Sequence, residues 1–434
     1  MGRHSHLADD EYDVVVGRVP RLALLSLLGV AAVATVLGVW SLWPDPAQKP
    51  TIPAAAAYGA PGVTFPDARV DQVQPACPIS RTVDGGVGQA PDSGYRPSPR
   101  CGNITVRVEG SAGAGRSVTV QVPPEVSHSG LRVGDTVQLV RAPAGQGQPA
   151  SYTYLTTARN VSLFWFAAVF AFVVIVVARW RGLMALVTLG FGALVITKFM
   201  LPALLAGEPG LWVAMAGSSA IMFVVLYATH GPSLRTSAAL AGTLLGIAVT
   251  AAVGAYAIHA GRLTGIADES GGTLSSFVPG LNFSGLLTCG LIVAGLGVLN
   301  DVTITQTSSV WELRSAAPQM PRRQIFTSAM RIGRDHIAST IYTIVFAYAG
   351  ASLIVLLLLS IYDRPLLDLL SNEAIAEEIV RTLASALGLV LAVPITTAIA
   401  AAAASPTSPR RPRSWDAEHD EGDLFTRFWK PGRH

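Results

Sequence analysis

Residues 281–313 read LNFSGLLTCGLIVAGLGVLNDVTITQTSSVWEL, and no charged residue occurs before Asp301. At 1.5 Å per residue, the run Leu281 to Leu299 forms a helix about 28 Å long, close to the ~30 Å thickness of a bilayer's hydrocarbon core. Helical spacing places Gly290, Ala294, Gly297, Asp301, Thr305, Ser308 and Glu312 on one stripe. The first three are small, the kind of surface through which helices approach closely in lipid. The rest are polar, and a carboxylate near a membrane boundary must face protein, water or a basic partner. The stripe reads either as a tight helix contact opening into a polar vestibule or as an ordinary helix emerging into solvent, with Asp301 and Glu312 hydrated.

Working outward, six more apolar runs of near-spanning length follow residue 160: Ser162–Val177, Leu183–Leu205, Leu211–Thr229, Ser237–Ile258, Ile337–Ile361 and Leu383–Ala404. An eighth, Leu22–Trp43, follows Arg18 and Arg21 and reads as an uncleaved anchor, since a signal peptide has a shorter apolar centre. Half of the 434 residues are apolar and 14% are charged, well below the quarter usual in soluble chains, so a bilayer is the natural solvent. Alternate connections collect Arg179 and Arg181, then Arg235, then Arg314, Arg322, Arg323, Arg331 and Arg334, and finally Arg410, Arg411 and Arg413 in the tail. The intervening short loops hold only Arg262, Arg364 and Arg381. By the positive-inside rule this predicts eight spans with both termini cytoplasmic.

Residues 44–160 are then extracytoplasmic. Pro44 to Gly94 reads as a Pro- and Gly-rich linker merging into irregular structure. Alternation in Ile104–Val108, Val118–Val122 and Leu131–Val140, with a Gly134-Asp135 turn, predicts strands of a small β-barrel or sandwich ending near Tyr154. Topology places Cys77 and Cys101 together in an oxidising compartment, so a disulfide is expected, contributing about 3 kcal/mol by loop closure. The expected fold is an α-helical membrane protein of about eight spans with a β-domain inserted after the first helix. Its segments are 1–21, 22–43, 44–160, 161–404 and a disordered cytoplasmic tail, 405–434.

Several function classes recede. Only Lys49, Lys198 and Lys430 are lysines and none follows a glycine, so a phosphate-cradling Gly-Lys-Ser/Thr loop is absent. A net charge of +3 gives no basis for a nucleic-acid partner. No metal-ligand spacing and no nucleophile–base constellation is visible, so neither cofactor nor enzyme is expected.

Lys198 lies about 24 Å along its helix from Gly182 at 1.5 Å per residue. It either snorkels to the outer headgroups or meets an anionic substrate at an outer mouth. Arg334 and Asp335 open the seventh span at the depth of Asp301, so Arg334 either pairs with Asp301 as an inner gate or anchors its helix at the interface. Ser371–Arg381 reads as a capped amphipathic helix feeding the last span.

Gly-Leu-Gly-Val-Leu-Asn-Asp (295–301), Ser308-Ser309, Glu312-Leu313, Gly333-Arg334-Asp335, Ala347-Tyr348-Ala349-Gly350, Asn372-Glu373, Ile375-Ala376 and Glu378-Ile379-Val380 together resemble the YibE/F-like family of bacterial membrane proteins. Val133-Gly134-Asp135, Leu201-Pro202 and Gly207-Glu208-Pro209 are further points of likeness. The sequence departs at Asn300 and Thr303-Ile304-Thr305, where a more apolar stretch is expected. The resemblance implies a multi-pass, permease-like protein of the bacterial cytoplasmic membrane and carries over no substrate. The leading expectation is a transporter or exporter whose pathway involves Asn300, Asp301, Thr305, Ser308, Glu312, Arg334, Asp335 and Lys198. The rival is a scaffold for envelope assembly whose β-domain binds an envelope protein. Partners beyond the lipid bilayer, and the oligomeric state, stay open.

Overall fold

The computed structural model describes residues 17–44, 62–75, 101–109, 113–123, 130–144, 150–278, 280–361 and 370–404, together with 126 and 368. The chain falls into two compact units, one within 51–179 and one comprising 1–50 and 180–434.

The first unit holds a small curled antiparallel sheet of order β3-β2-β1-β4-β5: β1 Asp67–Val73, β2 Asn103–Val108, β3 Ser117–Gln121, β4 Thr136–Ala142 and β5 Ser151–Thr157. Alternation puts Val70, Ile104, Val106, Val120, Val137 and Leu139 on one buried face, as the pleat requires. β1 corrects the linker expected over 44–94. It is the central strand, paired with β2 and β4, and a bulge between Val70 and Gln72 breaks the two-residue period that would have marked it. Asp71 at that bulge pairs with Arg107 at 3.1 Å. Gly134 turns into β4 with a φ of 97°, a left-handed conformation that suits glycine.

The chain is mostly helical. Its helices are α1 Arg18–Ser41, α2 Asn160–Val195, α3 Leu201–Leu205, α4 Gly210–His230, α5 Leu234–Ala260, α6 Glu269–Phe277, α7 Phe283–Ala316, α8 Arg322–Ala351, α9 Leu353–Ile361 and α10 Glu373–Ala403. Among the described residues six helical stretches are long and apolar enough to cross a membrane. The eight expected runs become six for two reasons. Ser162–Val177 and Leu183–Leu205 lie in one stretch, Val161–Leu205, which bends at Arg179, where φ is 55°. Ile337–Ile361 is split at Ser352, and its first part shares α8 with the charged turns after Arg322. The amphipathic helix expected over 371–381 and the last span form one helix, α10.

Within the second unit α5, α7 and α10 pack through small residues. A Cβ on Gly246 would stand 2.9 Å from Leu299 and 3.1 Å from Ala392, and one on Gly254 would stand 2.9 Å from Leu291. One on Gly388 would fall on the Thr250 hydroxyl, and one on Gly242 on the Thr396 hydroxyl. Thr243 and Thr303 share a hydrogen bond of 2.7 Å across α5 and α7. The Thr250 and Thr397 hydroxyls return to carbonyls of their own helices, at 2.9 and 2.7 Å. Lipid supplies no hydrophobic drive for helices to associate, so close backbone approach and internally satisfied hydroxyls hold such a bundle together. Arg314 is only 1% exposed and donates to the carbonyls of Met320 at 2.7 Å and Pro318 at 3.2 Å, closing the end of α7.

Candidate functional site

The stripe read from the sequence is the open face of α7. Gly290, Ala294, Gly297, Asp301 and Glu312 are exposed, and Thr305 and Ser308 half-buried. The helix packs instead through Leu291, Ile292, Leu299, Val302, Gln306 and Val310. The expected tight contact at Gly290, Ala294 and Gly297 is therefore corrected. A Cβ added at Gly290 or Gly297 meets nothing within 4 Å, whereas Gly295, half a turn away, faces Ser385 and Thr250.

Nor does an ion pair join Asp301 to Arg334 among the described residues. The helical phase explains this. Gly333 is wedged against Val393 and Gln306, where a Cβ would stand 2.8 and 2.9 Å away, so Arg334 and Asp335 are rotated off the packed face and exposed. Thr305 and Ser308 donate to carbonyls of their own helix at 2.7 and 2.8 Å. The Asn300 Oδ1 is buried without a hydrogen-bond partner. Lys198 is exposed in a π-helical turn, Ile196–Met200, outside the cavity described next. Cys101 is disulfide-bonded and Cys289 is free. Cys77, and with it the expected Cys77–Cys101 pairing, and the tail after Ala404 lie outside the described residues.

The open face does lead somewhere. Gly290 and Ala294 form part of the wall of a cavity of about 710 Å³, which Leu204, Asp268, Val355 and the first turns of α10 complete. Local chemistry fixes the helix ends that carry its wall. Asn372 caps α10 by accepting from the Ala374 amide at 3.0 Å, and Glu373 accepts from the Thr264 amide at 2.6 Å and from its hydroxyl. Asp268 caps α6, accepting from the Gly271 amide at 2.7 Å. Glu378 pairs with Arg381 at 3.6 Å.

Residues 166–406, more than half of the chain, match the family described as YibE/F-like protein. The chain belongs to the YibE/F-like family. No curated protein and no solved structure matches it. In this YibE/F-like chain, then, the motif residues divide their work. Gly333 admits the close approach of α8 to α7 and α10, while Asn372 and Glu373 fix the start of α10 and Glu378 lines the cavity.

The residue missed in the sequence is Glu377. It lines the same cavity, is 7% exposed, and its Oε1 has no hydrogen-bond partner. Taking an ionised carboxylate out of water is costly unless a cation, a proton or several donors compensate it. The signal was present in the spacing: Glu377 stands seven residues before Ala384 and eleven before Gly388, both buried, on the packed face of α10.

Proposed function

We infer that this YibE/F-like protein is a permease that moves a substrate across the bilayer by way of the α7–α10 cavity. The observation that carries the reading is Glu377, an acid held out of water at the wall of a cavity large enough for a small organic molecule. Buried acids inside apolar helical blocks mark substrate and ion pathways more often than they serve packing. The open stripe extends the wall from Gly290 toward Asp301, and Asn300, Thr305, Ser308 and Glu312 continue it. Arg334, Asp335 and Lys198 flank the block on exposed faces.

The reading sets eight crossings in a cytoplasmic membrane, with both termini inside and the sheet unit outside. The break at Arg179 and the turn at Ser352 let the helices α2 and α8–α9 supply the additional crossings. Val133, 67% exposed in the turn before β4, tests the orientation. A cysteine there is expected to react with a membrane-impermeant maleimide in intact cells, and reaction only after lysis contradicts it.

The function itself is tested by complementation in cells lacking the protein, at equal membrane abundance. Glu377→Gln and Asp301→Asn are each expected to lose most of the rescuing activity, because the amides preserve shape and remove the charge. Asp301→Leu is expected to be worse than Asn. Full rescue by both amide variants would contradict transport and favour a scaffold for envelope assembly, with the sheet unit binding its partner.

A further inference from the structure

The α7–α10 cavity carries an imbalance that the resident side chains do not resolve. Among the described residues its charged lining is Asp268, Glu377, Glu378 and Arg381, three acids against one base. Arg381 is engaged by Glu378 at 3.6 Å. Asp268 is held by the Gly271 amide. Glu373, at the start of the same helix, is taken by Thr264. Glu377 is left with a buried oxygen that accepts no hydrogen bond from the described residues, although the Gly265 backbone amide supports its carboxylate.

Most of the rest of the wall, including Leu204, Leu274, Leu286 and Val293, is apolar, with Ser270 and Ser352 the hydroxyl-bearing residues among the described lining. An unmet acceptor in such a wall calls for a donor with an apolar body. A carboxylate in a wall with surplus acids is best met by a cation, and an organic cation that also donates an N–H answers both the charge and the open acceptor.

We propose that the cavity binds an organic ammonium ion, whose N–H group donates to Glu377 and whose apolar remainder lies against the leucines and Val293. This rests on reading the cavity as the substrate site and names the class of substrate it takes. The charge of the ligand offsets part of the excess of acids in the lining, and its N–H supplies the bond that Glu377 lacks. Glu377 then sets specificity by rejecting cations that have no N–H to give.

The test is calorimetric titration of the full-length protein in lipid nanodiscs with two probes, benzylammonium and trimethylbenzylammonium. They share charge and ring, and only the first has N–H groups. Benzylammonium is expected to bind saturably, and trimethylbenzylammonium about tenfold more weakly or worse, as befits loss of a hydrogen bond to a charged group. Glu377→Gln is expected to weaken benzylammonium by a similar factor and to erase the preference between the probes. Glu208→Gln, which removes the same charge outside this cavity, is expected to leave both affinities unchanged.

If Glu377→Gln is not recovered as a monodisperse protein, the wild-type comparison of the two probes decides alone. Equal binding of the probes, no binding of benzylammonium, or unchanged binding by Glu377→Gln overturns the proposal. Failed binding combined with lost complementation by Glu377→Gln would remove the ammonium ligand and leave the transport reading standing.

Discussion

Gly210→Ala is expected to destabilise the helical unit by about 1–3 kcal/mol or more, the scale of overpacking a close-packed interface. Gly210 opens α4, directly after Pro209, and its Cα faces the first turn of α7. An added Cβ would fall on the carbonyl group of Gly285. That neighbour is backbone, so no rotamer change relieves the overlap, and the two helices must separate. Gly290→Ala and Gly297→Ala provide the contrast, since a Cβ at either meets nothing within 4 Å. Thermal unfolding followed by size-exclusion fluorescence in detergent should rank Gly210→Ala far below wild type and the other two beside it. Equal midpoints for all three would mean that α4 and α7 do not approach as described.

Gly388→Ala is the second large effect, and it differs in being correctable. The added methyl would meet the Thr250 hydroxyl first and the Thr250 Cβ second, at 3.0 Å. Thr250 is β-branched on a helix, with restricted χ1, and its hydroxyl is committed to the Gly246 carbonyl at 2.9 Å. It cannot swing aside without surrendering that bond. Gly388→Ala alone is therefore expected to cost about 1–3 kcal/mol, and Thr250→Ala, which removes the clashing oxygen, to restore part of it. A favourable coupling of about 1 kcal/mol or more in the double-mutant cycle is the expected result. Strict additivity would place the two residues out of contact.

The contrast among these glycines shows what was legible in the sequence. Long apolar runs and alternating strands depend on periodicity, which a single chain displays directly, so α1, α4, α5, α7 and the strands β2, β3 and β4 were readable from it. β1 was not, because its bulge interrupts the alternation. The helix faces were harder. Gly290, Ala294 and Gly297 form a small-residue stripe as convincing as the one at Gly242, Gly246 and Gly254, yet only the latter set is buried. Composition says that a face can pack closely; whether a neighbour comes there is decided by the other helices. The same holds for Asp301 and Arg334, which are both exposed and form no ion pair with each other among the described residues. Glu377 was passed over because a charged residue two turns before an apolar run reads as surface, and only its phase with Ala384 and Gly388 reveals the packed side.

The central claim is that the open face of α7 lines a water-filled path running from the Glu377 cavity toward Asp301. Single cysteines at positions 290, 294, 297 and 301, in a Cys289→Ser background, test it by reaction with a charged methanethiosulfonate, because only a thiol that water can ionise reacts. Val187, 56% exposed on the second half of α2, serves as the lipid-facing control, and Gly295 as the packed one. The path predicts reaction at all four stripe positions and at neither control, with benzylammonium slowing reaction at 290 and 294. Reaction rates at 297 and 301 no higher than at position 187 would contradict it.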